Sequence, residues 1–233
     1  MAFAKIHGDI AWNAIETASG RYVDVSDPQP KDISITDIAW SLSRQARFAG
    51  HTLSEEIWSV AQHALFVEKL LDLVMEGFQL EASLIGWMLT KYPTDTSKTQ
   101  LLDWISPDRR LAIQLGALHH DDSEAYLIDL PSPVKRILSL REPYKKLEGA
   151  VTSAISMALE LPELTEIEHD LIGWADLMAL QIEAANMMPS RGRGWGMELP
   201  KMNLADIYLF PKPAHWKQVY EQFLKRDHDM RER

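Results

Sequence analysis

Leu115-Gly-Ala-Leu-His-His-Asp-Asp-Ser-Glu124 is an apolar helical run that drives straight into His119, His120, Asp121 and Asp122. A core-facing helix rarely does this, because an ion taken out of water without a partner costs several kcal/mol. Two other helical stretches make the same departure. His63 follows Val60 by three positions and precedes Val67 by four and Leu70 by seven, which puts it on the buried stripe of its helix. Asp176, in Gly173-Trp-Ala-Asp-Leu-Met-Ala-Leu180, has Ile172 at i−4 and Leu180 at i+4. Taken singly, each has an ordinary explanation: a hydrogen-bonded core histidine, a paired or capping aspartate, a solvated helix end. Three helices doing so independently is a poorer account than one in which the groups meet. A divalent ion would gather them, since imidazole nitrogen and carboxylate oxygen suit Zn, Mn, Fe, Co or Ni.

Outward from that block the chain reads as mainly α-helical. Asp37 to Phe48 is expected to be a helix stopping at Gly50, and Ser54 to open a second helix that Gly77 ends. Residues 80 to 90 form a third apolar run, followed by a polar loop from Lys91 to Thr99. Pro107 starts a fourth helix expected to run on to Tyr126. Pro131 and Pro133 punctuate the chain, and helices are expected near 141–160, 166–188 and 214–231, with Arg191-Gly-Arg-Gly-Trp-Gly196 as a loop. Only residues 14 to 38 look β-like: Thr17-Ala-Ser-Gly20 and Asp27-Pro28-Gln-Pro30 are turn clusters around Arg21-Tyr-Val-Asp-Val25. The expected architecture is a single helical bundle over 1–233. Its core is 34–188, with a hairpin extension at 1–33 and a C-terminal loop and helix at 189–233.

The 233 residues are 46% hydrophobic and 25% charged, an ordinary balance that excludes disorder as the main state. No apolar run approaches the ~18 residues needed to cross a bilayer. The first nine residues lack the basic stretch and apolar core of a secretory signal. The absence of cysteine excludes disulfide scaffolds and thiolate zinc sites. A cytoplasmic protein without membrane contact is expected. Against 34 Asp and Glu stand 24 Lys and Arg, a net charge of −10, which argues against gripping a nucleic-acid polymer. Any anionic substrate must be drawn in by local cations or a metal.

The order His63, His120-Asp121, Asp176, with gaps of 57 and 55 residues, resembles the signature of the HD-domain metal-dependent phosphohydrolases. The stretch from His120-Asp121-Asp-Ser-Glu124 through Asp129-Leu-Pro-Ser-Pro-Val-Lys135 resembles the central block of the 5′-deoxynucleotidase branch and its phage and prophage relatives. Trp58-Ser-Val-Ala-Gln-His63 and Ser43-Arg44-Gln-Ala-Arg47-Phe-Ala-Gly-His51 resemble the same branch, so the likeness covers about residues 17 to 188. His119 and Asp122 stand where an apolar and a small residue are expected, and the segment from about 78 to 108 is longer than usual.

The resemblance implies that His63, His120, Asp121 and Asp176 hold one divalent transition metal. It gives Glu124 and Asp129 the work of positioning the attacking water and managing protons, which hydrolysis at phosphorus requires. Arg47, Lys135 and His51 match places that contact phosphate, and Phe48 a bulky position beside sugar and base. Further Mg or Mn could accompany the substrate phosphates. The implied substrate is a 2′-deoxynucleoside 5′-phosphate, in a bacterial or phage-infected cytoplasm, with a homo-oligomer expected by analogy. The Arg47–His51 stretch resembles the phage group, which favours a dNTP triphosphohydrolase of the dATP type. A 5′-deoxynucleotidase acting on dNMPs is the alternative. A binuclear cyclic-dinucleotide phosphodiesterase needs further histidines between Asp121 and Asp176, where only His169 falls. A non-catalytic nucleotide-binding HD module is the remaining reading.

Overall fold

The computed structural model describes residues 12–77, 81–92 and 105–233 and is mainly helical, with one small hairpin. β1 (Ala14–Glu16) pairs antiparallel with β2 (Tyr22–Asp24), Ile15 opposite Val23. Strands this short do not stand alone in water. Asp37, on α1 (Ile35–Leu42), fastens the connecting turn: its carboxylate accepts from the Thr17 hydroxyl at 3.0 Å, the Ser19 backbone N–H at 2.9 Å and the Ser19 hydroxyl at 2.6 Å.

α2 (Val60–Met75) is buried on almost every side, the mark of a central helix. Val67, Leu70, Leu71 and Val74 pack with Ile113, Leu171, Trp174 and Met178. Val60, Ala61 and Ala64 pack in a second cluster with Leu118, Val219 and Phe223. The partners around α2 are therefore α4 (Pro107–Leu118), α8 (Glu166–Met187) and α9 (Trp216–Arg231). α3 (Glu81–Lys91) lies on α8. Two short helices, α5 (Glu124–Leu127) and α6 (Ser132–Lys135), lead into the long α7 (Leu138–Ala158). Among the described residues no helix is long and apolar enough to cross a membrane.

α4 approaches α8 closely at Gly116, where an added Cβ would stand 2.5 Å from Leu164 Cδ1 and 2.9 Å from Ile172 Cδ1. Gly116→Val should therefore destabilise the fold by about 1 kcal/mol, because the ends of two side chains must shift to admit it. A fall in the urea midpoint at unchanged slope checks this; an unchanged midpoint would mean the helices part freely here.

Three boundaries differ from the sequence reading. α1 ends at Leu42, not Phe48, because the backbone groups that follow are used across the chain: Arg47 N–H donates to Trp58 O at 2.9 Å and Val60 N–H to Gln45 O at 3.1 Å. Arg47 and His51 are thus not one helical turn apart. α2 starts at Val60 rather than Ser54, with Ser59 as the cap, its hydroxyl accepting from Gln62 N–H at 3.3 Å. The fourth helix stops at Leu118 instead of reaching Tyr126. Residues 119–123 form a turn stitched by i to i+3 bonds such as Glu124 N–H to Asp121 O at 2.9 Å. The hairpin, the Gly77 stop and the 191–196 loop fall where expected. Residues 78–80 and 93–104, which hold about half of the long segment and most of the polar loop, lie outside the described residues, as does the N-terminal stretch.

Candidate metal centre

The 119–123 turn, rather than a continuous helix, brings His120 and Asp121 to His63 in the first turn of α2. His120 Nδ1 donates to Ala117 O at 2.8 Å, and His63 Nδ1 donates to Glu183 Oε1 at 2.6 Å. With Nδ1 engaged on both rings, each Nε2 is the atom left to accept a ligand. The two rings lie 5.2 Å apart, and both Nε2 atoms are buried without a hydrogen-bond partner. His63 Nε2 stands 3.0 Å from Asp176 Oδ1, and ligand atoms of His63, His120 and Asp176 all fall within 4.8 Å of one another. Asp121 lies against both imidazoles, its Oδ2 3.2 Å from His120 Nε2 and 3.7 Å from His63 Nε2, but outside that tighter set. Two neutral nitrogens and two carboxylate oxygens are a donor set that fits a divalent transition ion.

The electrostatics favour positive charge at this point. Burial pushes the His120 imidazole down, but Asp121 and Asp176 outweigh it and leave its pKa raised to about 10. Burial and Arg47 press the His63 pKa down; Glu183 and Asp176 more than offset them. Against the burial that would raise them, Asp121 is held low by His120 and Asp176 by His63. A cluster that holds a proton this firmly holds a metal cation by the same attraction, and ligation would expel the proton.

Glu183 is fully buried on α8 and is shared by the site's inner wall. Its second oxygen accepts from Arg47 Nε at 3.2 Å, and Arg47 Nη1 reaches to 3.6 Å from Asp121 Oδ2. Arg47 is thus committed to carboxylates beside His63, His120 and Asp176. Lys135 is committed too: its Nζ lies 3.1 Å from Glu124 Oε1 and 3.6 Å from Glu148 Oε1. Glu124 is buried, with Oε2 left unpartnered. Burial, then the charges of Asp121 and Asp129, push its pKa up to about 8, with Lys135 offsetting them only in part.

Gln45 ties the backbone around these acids. Its Nε2 donates to Glu124 O and to Ser41 Oγ, both at 2.9 Å, and its Oε1 accepts from Asp129 N–H at 3.2 Å. Between them Ile128 sits at φ 63°, ψ 149°, a region open in practice only to glycine. The Ile128 N–H donates to Glu124 O at 2.9 Å, and its carbonyl accepts from Tyr144 Oη at 3.2 Å. The strain is held by hydrogen bonds on both flanking peptides. Its side chain is mostly exposed, so little packing would be lost on truncation. Ile128→Gly should raise stability by about 1–2 kcal/mol, the relieved strain less the entropy of an added glycine. Thermal unfolding checks this, and a lowered Tm would refute the strain.

Beyond Arg47 opens a cavity of about 480 Å³ that Phe48, His51 and Asp129 also line, together with Arg136 and Trp195. Phe48 and Ala49, at φ 55° and 51°, precede Gly50 at φ 76°, so this loop turns left-handed as it presents Phe48. His119 faces the other way: Nδ1 meets Asp122 Oδ2 at 2.7 Å, Nε2 meets Asp227 Oδ1 at 3.0 Å, and its ring abuts Phe223.

The chain is 34% identical over 175 residues to the uncharacterized protein RCAP_rcc00048 of Rhodobacter capsulatus, covering 75% of this chain and 71% of that protein. The chain belongs to the family of RCAP_rcc00048. It is also similar to the uncharacterized protein YfdR of Escherichia coli, 28% identical over 220 residues, 94% of this chain and 96% of YfdR. No family model matches the chain.

In this RCAP_rcc00048-like chain the structure brings together His63, His120, Asp121 and Asp176, with Arg47 beside them, and puts Phe48, His51 and Asp129 on the adjoining cavity. Lys135 is turned to Glu124 instead. Sequence reasoning missed Glu183, Gln45, Arg136 and Trp195. Only Glu183 left a readable signal: seven residues after Asp176, it lies on the same face of α8, two turns on.

Proposed function

We propose that this chain is a metal-dependent phosphohydrolase of the HD type that cleaves 2′-deoxynucleoside 5′-phosphates. The observation that carries this reading is the pair of imidazoles with Nδ1 engaged and buried Nε2 atoms converging on Asp176. A divalent ion held by His63, His120 and Asp176, with Asp121 beside them, would supply Lewis acidity toward a phosphate oxygen and a more acidic water. Glu124, held through one oxygen by Lys135, offers the other as proton acceptor for the attacking water. Asp129, at the cavity wall, is suited to the leaving-group proton. As a base Glu124 works when ionised, and burial holds its pKa above the ordinary carboxylate value, so the rate should climb as the pH passes through that raised pKa, and Glu124→Gln should lower it and flatten the rise. A wild-type rate independent of pH would remove Glu124 from that role.

Two substrates remain in play, and both reactions break an O–P bond at the 5′ α-phosphate. The sequence favours a dNTP, released as deoxynucleoside and triphosphate. One observation favours a dNMP: Arg47 and Lys135, the cations assigned to the phosphate tail, are already engaged by carboxylates. Among the described cavity residues Arg136 is a cation without an ion-pair partner, and Mg or Mn carried by the phosphates would supply further charge. The deciding experiment incubates the protein with each dNTP and dNMP in Mn, Co, Zn or Mg and resolves the products. Deoxynucleoside with intact triphosphate supports the first reaction, and phosphate from dNMPs alone the second. Bound metal without any product would turn the reading toward a nucleotide-binding module.

A further inference from the structure

The cavity beyond Arg47 has an aromatic wall whose larger half lies outside the 17–188 stretch that carries the family resemblance. Trp195 comes from the Arg191-Gly-Arg-Gly-Trp-Gly196 loop, which leaves α8 and doubles back through positive φ at Arg191, Gly192, Gly194 and Gly196. Gly192 allows the return, since a Cβ there would meet Ala184 Cβ on α8 at 3.2 Å. The loop is pinned by Arg191 N–H to Met188 O at 2.9 Å and Arg193 N–H to Ser190 O at 3.1 Å. Trp195 thereby reaches Phe48, the ring centroids 6.1 Å apart and the planes tilted by 49°. Phe48 is itself delivered from a left-handed turn, a conformation costly for a residue with a Cβ. Leu180, Met188 and Met197 extend the apolar surface, and Arg47 and Asp129 line the same cavity. Arg47 also contacts Asp121, so the cavity adjoins the metal residues.

We propose that Trp195, with Phe48, forms the wall on which the substrate's nucleobase stacks, so that the 188–197 loop makes this site selective for nucleotides over simple phosphoesters. The inference rests on the phosphohydrolase reading for what lies at the inner end and adds where the base goes. A flat, uncharged ring suits this surface. Aromatic faces bind bases of any sequence with similar strength, and truncating one such face typically costs about tenfold or more in affinity.

The test is calorimetric titration of the full chain with deoxyadenosine, thymidine and base-free 2-deoxyribose 5-phosphate, for wild type, Trp195→Ala and Trp195→Phe. Trp195→Ala should weaken nucleoside binding about tenfold, Trp195→Phe should restore much of it, and 2-deoxyribose 5-phosphate should bind all three alike. Equal weakening of every ligand, no weakening, or no nucleoside binding by wild type would overturn the proposal. Should Trp195→Ala fail to fold, photolabelling of the wild type with 8-azido-deoxyadenosine decides instead. Label on the 188–197 peptide supports the assignment, and label confined elsewhere overturns it. Failures of the two readings separate cleanly. Trp195-dependent nucleoside binding without hydrolysis of any nucleotide sinks the phosphohydrolase and keeps the subsite. Hydrolysis with a nucleotide KM indifferent to Trp195→Ala does the reverse.

Discussion

His63→Ala should strip the protein of stoichiometric metal and lower nucleotide hydrolysis about a thousandfold, the several kcal/mol that a bound cation contributes to phosphoryl chemistry. The expectation follows from how this ring is spent. It has no exposure, its Nδ1 is taken by Glu183, and its Nε2 points into the cluster with His120 and Asp176. Alanine would remove a proposed ligand and take from Glu183 its 2.6 Å hydrogen bond. His119→Ala is the informative control. It stands one position before His120, yet both its nitrogens are engaged by Asp122 and Asp227 on the side facing α9. That variant should lose stability and keep its metal. Metal analysis after exhaustive dialysis, with rates measured on the same samples, checks both. If His63→Ala retained metal and rate, the centre would be misassigned.

Glu183→Ala should be the most damaging single change to the fold near the site, about 3–5 kcal/mol, because it leaves charged groups buried without their partner. Glu183 holds His63 Nδ1 at 2.6 Å and Arg47 Nε at 3.2 Å, and all three side chains are shut away from water or nearly so. Burial alone would raise its pKa; His63 and Arg47 overcome that and hold it below the ordinary 4.5. A carboxylate depressed in the folded state stabilises fully above its unfolded pKa, and that contribution is lost as the pH falls through the depressed value. Urea unfolding of wild type and Glu183→Ala should therefore differ most above about pH 5 and converge in acid. A difference that grew on acidification would contradict the assigned charge state. Glu183→Gln, which keeps the shape and one acceptor, should cost less than alanine.

The helical class and the ligand candidates were legible because they show as pattern: an imidazole at 63 in the stripe Val60, Val67, Leu70, and an aspartate at 176 between Ile172 and Leu180. What escaped is decided by distant partners. The spacing from Leu115 to Tyr126 suits a helix as well as a chain of tight turns, and the turn is fixed by Asp122 and Asp227 closing on His119. Arg47 read as helical because nothing local announces that residues 45–47 pair with 58–60. Ile128 misleads in the opposite sense, a β-branched residue in glycine's conformation, so the bend that aims Asp129 leaves no glycine to mark it. Trp195 was passed over inside a loop whose glycines signal flexibility in sequence but build a fixed return in space.

The clasp between His119 and Asp227 spans 108 positions, and this bears on how the protein is made. A nascent chain that has emerged through Met187 already carries His63, His120, Asp121, Asp176 and Glu183. It still lacks Val219, Phe223 and Asp227, the residues of α9 against which the His119 turn is set. At ~5–20 residues per second the ribosome adds that helix on the order of seconds later. The turn that carries His120 and Asp121 is thus synthesised well before the helix that braces it, and it gains that support only when α9 packs.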